Sequence, residues 1–248
     1  MIVERSMDPA WLSNTYLVAD GPGGHGVLID TGAPVDPILR KVEEHRLTVT
    51  HALHTHHHVD HTAHAERYRE RLGCRIAGHR LEGGLFARLD VALEDGHEIA
   101  AGDLQIRALH IPGHTAGQLA FVVKGECVFT GDTLFRGSVG GTRAPGHTTF
   151  ADLKRSILEA LMTLPPEMVV YPGHTDPTTI GRQWGWNPFI RMWRGLDRPG
   201  AARCIALGEP ATLLLRAPDY DGGTKCWVRF DDGREDVVPG SRVLDAEA

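Results

Sequence analysis

The chain is 248 residues long, enough for one substantial domain or one domain with a small appendage. Hydrophobic residues make up 42% and charged residues 23%, a mixture that can bury a real core. A formal net charge of −6, from 26 Lys and Arg against 32 Asp and Glu, argues against a nucleic-acid partner.

The opening MIVERSMDPAWLS has no basic stretch followed by an apolar one, so no signal peptide is expected. No apolar run approaches the roughly 18 residues needed to span a bilayer. The expected location is therefore the cytoplasm, with no membrane partner. Cys74, Cys127, Cys204 and Cys226 are scattered and form no CxxC pair, which fits reduced core thiols. The unusual count is histidine, at 15.

In chain order, Thr15–Ala19 and Gly26–Asp30 read as strands joined by the turn-rich DGPGGHG. Pro34–Arg46 reads as a helix with Ile38, Leu39 and Val42 on its apolar side. A strand over Val49–Leu53 runs into HTHHHVDH, and a helix over Thr62–Leu72 stops at Gly73. Further strands are expected at Cys74–Ala77 and Leu104–Ile111. A hairpin is expected from Leu119–Val123 and Cys127–Thr130, turning at Lys124–Gly125. Phe150, Leu153, Ile157, Leu158, Leu161 and Leu164 predict an amphipathic helix ended by Pro165–Pro166. Met168–Tyr171 is a strand that delivers Pro172, Gly173 and His174. Near residue 196 the composition changes. Ala211–Arg216, Lys225–Phe230 and Glu235–Val238 then read as a small barrel or three-stranded sheet. This divides the chain into a body over 1–195 and a β-rich appendage over 196–248.

The chemistry gathers at HTHHHVDH. Residues two apart at a strand end project to one side, so His56 and His58 can aim two imidazoles at one metal. Asp60 and His61, entering the next helix, can reach a second metal beside it. Imidazole and carboxylate are ligands that zinc accepts. His114, Asp132 and His174 each follow a glycine just after a predicted strand, so three strand ends converge on one rim. One such histidine means little; the ordered set points to a metal site. His51, His54, His57, His64 and His110 fall outside the spacing and read as supporting or structural groups.

His56-x-His58-x-Asp60-His61, followed by His114, Asp132 and His174, resembles the metallo-β-lactamase superfamily signature over roughly residues 1–190. Asn14–Val18 and Ile29–Gly32 are similar to that family's opening strands. The resemblance implies an α+β fold, a four-layer αββα sandwich with metals at one edge. It implies two zinc ions, with iron or manganese as alternatives. His56, His58 and His114 would hold the first ion and Asp60, His61 and His174 the second, with Asp132 bridging. Asp60 and Asp132 are then the catalytic carboxylates, serving a bridging hydroxide.

Gly131–Ser138, Val170–His174, Thr179–Gly181 and Asn187–Phe189 look like glyoxalase II and its shorter bacterial relatives. That implies a hydrolase acting on a small-molecule thioester or ester. Gly141 stands where those relatives usually carry a basic residue that helps anchor glutathione, and their C-terminal helical region has no counterpart. Arg136, Arg143 and Arg182 are the candidate substrate-binding cations. A lactone hydrolase similar to N-acyl-homoserine lactonases, and a persulfide dioxygenase-like enzyme with one iron on His56, His114 and Asp132, stay open. So does a scaffold with a relict site. Trp184, Trp186 and Trp193, with Arg182, Arg191 and Arg194, read as a packing seam between body and appendage in preference to a substrate-pocket wall or lid, and the appendage as a structural or homodimer-forming unit.

Overall fold

The computed structural model describes residues 1–245; residues 246–248, the end of the expected appendage, lie outside the described residues. The first sheet holds β1 (Ile2–Met7), β2 (Asn14–Ala19), β3 (His25–Ile29), β4 (Thr48–Leu53), β5 (Arg75–His79) and β6 (Val91–Leu93), in that spatial order. The first three strands run antiparallel and the rest pair parallel. β7 (Glu98–Ala101), β8 (Leu104–His110), β9 (Leu119–Val123) and β10 (Cys127–Gly131) follow. A small ribbon of β11 (Leu134–Phe135) and β12 (Ser138–Val139) comes next, then β13 (Val169–Pro172) and β14 (Thr178–Thr179). The second sheet is ordered β14-β13-β10-β9-β8-β7.

Strand periodicity explains the layers. In β2, Tyr16 and Val18 face the second sheet and pack with Phe121 and Phe129, while Leu17 faces the opposite way. There it meets Val35, Ile38, Leu39 and Val42 of helix α1 (Val35–His45) and Tyr68. The far face of the second sheet presents Ala120, Val122, Val128 and Val170 to Leu153, Ile157, Ile180 and Phe189. The result is the expected helix–sheet–sheet–helix sandwich. A strand buried on both faces reads as an unbroken apolar run, as β9 does.

Two helices differ from their sequence patterns. The one expected over Thr62–Leu72 is two: α2 (Val59–Thr62) and α3 (Ala65–Leu72), which ends at Gly73 in the left-handed region. Between them the His64 N–H bonds to the Thr31 carbonyl at 3.0 Å, turning the chain toward the first sheet. The helix expected from Phe150 to Leu164 is regular only as α4 (Phe150–Arg155), opened by a Thr149–Asp152 capping box. It widens into a π turn over Ser156–Ala160, where Ser156 Oγ donates to the Pro112 carbonyl at 2.7 Å, then tightens over Leu161–Thr163. The apolar stripe still packs into one cluster.

Helices α5 (Ile180–Trp186) and α6 (Pro188–Trp193) follow. Trp193 lies in the seam, with its ring 6.5 Å from that of Trp227. Trp186 is 80% exposed and Trp184 39%, so those two do not fill it. The C-terminal sheet has five strands where the sequence pattern suggested three: β15 (Ala202–Ala206), β16 (Glu209–Pro218), β17 (Thr224–Phe230), β18 (Glu235–Pro239) and β19 (Val243–Asp245). One face, with Cys226, Val228 and Phe230, closes on its own cluster. The other, with Leu214, Trp227 and Val237, joins the core beneath α4 and α6. All four cysteines are free and buried. No described helix is long and apolar enough to cross a membrane.

Candidate metal centre

Four strand ends meet at one edge of the sandwich. The loop after β4 carries His56, with His58 capping α2 and Asp60 and His61 within it. The loop after β8 supplies His114, the end of β10 supplies Asp132 and the end of β13 supplies His174. The preceding glycines serve different ends. Gly113 and Gly131 have φ of 150° and 49°, conformations that L side chains rarely adopt. Gly173 has no positive φ, but a Cβ there would sit 2.3 Å from Asp132 Oδ1, so glycine is required for space.

All seven expected residues come together, in three overlapping donor groups: His56–His58–His114, His56–His61–Asp132 and Asp60–His61–His174. Within each group the donor atoms lie within 4.8 Å of one another.

The hydrogen bonds around the cluster assign the protons. His61 Nδ1 donates to Asp30 Oδ2 at 2.8 Å, His114 Nδ1 to the Gly141 carbonyl at 2.9 Å, and His174 Nδ1 to the Trp11 carbonyl at 3.0 Å. His58 is reversed: its Nε2 donates to the Pro145 carbonyl at 2.8 Å, which turns Nδ1 inward. His56 Nδ1 lies 3.0 Å from Thr55 Oγ1, which itself donates to Asp30.

With outer nitrogens protonated, the inner ones of neutral rings carry lone pairs. These face other acceptors. His58 Nδ1 is 3.1 Å from His114 Nε2, and His174 Nε2 is 3.2 Å from Asp132 Oδ2. His61 Nε2 is 3.3 Å from Asp132 Oδ1 and 3.5 Å from Asp60 Oδ2. His56 Nε2, His61 Nε2 and Asp132 Oδ1 are buried with no hydrogen-bond partner among the described residues. Acceptors aimed at acceptors in a buried site are satisfied by cations between them, and this donor set fits two divalent ions.

Electrostatics agree. Burial drives the His56 pKa well below its usual value and that of His114 down to about 4, so both rings stay neutral. Burial also presses on His61, but the Asp132 and Asp30 carboxylates outweigh it and hold its pKa well above normal. Burial opposes ionisation of Asp132, yet His174 and His61 hold its carboxyl well below the usual range. The site demands positive charge beside Asp132, supplied either by a second proton on His61 or by a cation that leaves that ring neutral.

Several contributors lay outside the sequence reading. Asp30 anchors His61 directly and His56 through Thr55; it lies in the Ile29–Gly32 segment, whose pattern gives it no ligand spacing. Tyr220, from the turn between β16 and β17, stacks on His174 with centroids 4.5 Å apart and planes at 21°. No local pattern marks it. His57, outside the donor groups, pairs instead with buried Glu82 at 3.1 Å.

That same turn braces the segment whose carbonyls orient His58 and His114. Ser138 Oγ donates to Asp219 at 2.7 Å, and the Lys225 ammonium donates to the Val139 carbonyl at 2.7 Å. Thr142 Oγ1 donates to Asp236 at 2.5 Å. Of the candidate substrate cations, Arg143 lines a cavity beside His114 and pairs with Asp236 at 2.6 Å. Arg136 lies 3.6 Å from Asp176, and Arg182 is exposed on α5. The structure does not bring these three together.

A hydroxyacylglutathione hydrolase of Anaeromyxobacter dehalogenans is 32% identical over 235 residues, covering 79% of this chain and 87% of that protein. The crystal structure of ETHE1 from Myxococcus xanthus aligns with a TM-score of 0.69 at 32% identity, over 80% of this chain and 92% of its own. TTHA1623, solved in a di-iron-bound form, aligns with a TM-score of 0.64 at 35% identity, over 76% of this chain and 100% of its own. The sequence model of the Metallo-beta-lactamase superfamily matches residues 8–174, from just after β1 to the last of the seven donors. With that match and the shared fold, the chain belongs to the metallo-β-lactamase superfamily.

Proposed function

We propose that this protein is a dinuclear metal-dependent thioester hydrolase of the hydroxyacylglutathione hydrolase-like type. The observation that supports the reading is the position of Asp132 between the two ligand sets: its Oδ1 lies 3.3 Å from His61 Nε2, and its Oδ2 lies 3.2 Å from His174 Nε2 and 3.6 Å from His114 Nε2. The ligand roles follow: His56, His58 and His114 for one ion, Asp60, His61 and His174 for the other, and Asp132 between. The similarity to a hydroxyacylglutathione hydrolase supports the thioester branch.

When bound, two divalent ions lower the pKa of a water and polarise an acyl carbonyl. The chain's own residues do the rest. Asp30, Gly141, Pro145 and Trp11 fix the rings so that inner nitrogens need not reorganise. Asp60 is less buried than Asp132, at 23% against 8% exposure, which supports a role in accepting a hydrogen bond from the attacking water. Phe135 and Tyr220 cover His174 and exclude water behind it. In the net reaction water adds across the acyl carbon–sulfur bond. A carbon–oxygen bond forms, the carbon–sulfur bond breaks, and the thiolate leaves with a proton from the water. No serine or cysteine nucleophile is required.

The test combines elemental analysis with a panel of thioesters, lactones and persulfides. We expect about two ions per chain, as in two-metal hydrolases, and faster turnover of thioesters than of lactones. A single iron with oxygen consumption overturns the reading. A di-iron form of a protein 35% identical gives iron a specific claim beside zinc, and the same analysis distinguishes them.

A further inference from the structure

A cavity of ≈ 340 Å³ opens beside His114. Gly141, Arg143 and Ala144 line one side, and Tyr220 and Asp221 from the turn between β16 and β17, with Lys225 at the start of β17, line another. Through His114 the cavity reaches the first donor group, and through the Tyr220 ring it touches His174. A substrate carbonyl held at the donors would thus direct one arm of the molecule into this space.

Its charges are nearly all matched. Arg143 faces Asp236 at 2.6 Å, and Lys225 faces Asp219 at 3.0 Å with both side chains buried. Asp221 is the one ionised lining side chain without an ion-pair partner among the described residues. Its Oδ1 accepts the Gly223 N–H at 2.8 Å, which fixes the carboxylate at the rim. The rest of the lining includes the apolar groups Tyr220, Val237, Pro239 and Ala144. The cavity therefore has apolar walls and one unmatched negative charge, and an anionic group entering it would find no free cation.

We propose that this cavity takes the thiol-carrier arm of the substrate and selects carriers that are uncharged or cationic, with Tyr220 as its floor and Asp221 as the residue that sets the charge preference. This rests on the thioester reading and narrows it, because it disfavours a carrier with two carboxylates such as glutathione. It also makes the C-terminal sheet part of substrate recognition.

The test uses ketone analogues in which a methylene replaces the thioester sulfur, so that they bind but cannot be hydrolysed. Their carrier arms end in a carboxylate, an amide or a trimethylammonium group. Affinities for the metal-loaded protein, by calorimetry, should place the amide and ammonium analogues about tenfold or more ahead of the carboxylate, the effect of one like-charge contact. The gap should shrink as salt is added. Asp221→Asn keeps an acceptor for Gly223 and should narrow the gap while leaving amide affinity unchanged. Tyr220→Ala should weaken all three. Tightest binding by the carboxylate analogue, or a gap untouched by Asp221→Asn, overturns the proposal. If the order holds but no thioester is turned over, the thioester reading falls and the charge selection stands.

Discussion

Asp30 accepts the Nδ1 proton of His61 across 2.8 Å, and its two oxygens also receive the Thr55 backbone N–H and hydroxyl. One buried carboxylate thus holds His61 directly and His56 through Thr55. Asp30→Asn keeps the shape but removes the charge and places an amide donor near a ring that must donate. Metal affinity should fall about 10–100-fold, the usual effect of losing such a supporting partner. Competition with a chelator measures it; unchanged affinity would show that His61 needs no anionic anchor.

Asp132→Asn should lose most activity while the chain stays folded. An amide cannot offer two anionic oxygens to cations held between it and the inner nitrogens of His61 and His174, which lie 3.3 and 3.2 Å away. Turnover and metal content are compared with the unaltered protein. Near-normal turnover with full metal content would remove Asp132 from the centre.

Removal of the C-terminal sheet should do more than expose the core beneath α4 and α6. It takes away Asp219, Lys225 and Asp236, which hold Ser138, Val139 and Thr142. That segment carries the Gly141 and Pro145 carbonyls that receive protons from His114 and His58. A chain ending near residue 195 should aggregate more readily and bind metal more weakly than the full chain. Lys225→Met tests the same link with less disruption, through its effect on metal affinity. Full metal binding by both would show that the sheet does not brace the metal donors.

Glu82 gives a pH dependence away from the donor cluster. Burial raises its pKa, but the neighbouring His57 and Thr115 side chains and the Gly117 N–H, which donates to Glu82 Oε1, outweigh that, and the net shift is downward. A carboxyl with a depressed folded pKa contributes stability that is complete above its unfolded pKa of about 4.3 and is lost as pH falls through the lower folded value. Glu82→Gln should therefore lower the melting temperature at neutral pH and flatten its decline in acid. Melting curves between neutral and acid pH check this. A parallel offset at every pH would place the effect in packing and not in charge.

The seven donors were legible because each is a local event. Four sit within HTHHHVD and its following histidine, and three follow a strand and a glycine. The sandwich was legible through apolar runs such as Leu119–Val123, whose length and turn-bounded ends fit strands. What escaped depends on distant contacts. Tyr220 reaches His174 from a turn with no motif, and the Asp219–Lys225 pair looks in sequence like any surface charges. The π turn at Ser156–Ala160 keeps the helical spacing of apolar residues almost intact, so periodicity alone cannot reveal it. Trp184 and Trp186 share their composition with Trp193, yet only Trp193 turns inward.

The brace on the 138–145 segment also sets an order of events during synthesis. The ribosome makes all seven donors by His174, but Asp219, Lys225 and Asp236 emerge only later. Until they do, the carbonyls that aim His58 and His114 are not held by their partners. A nascent chain therefore displays a complete set of donors before it has a finished cage. A metal that met the chain before the last strands joined would find donors whose orienting carbonyls are not yet braced.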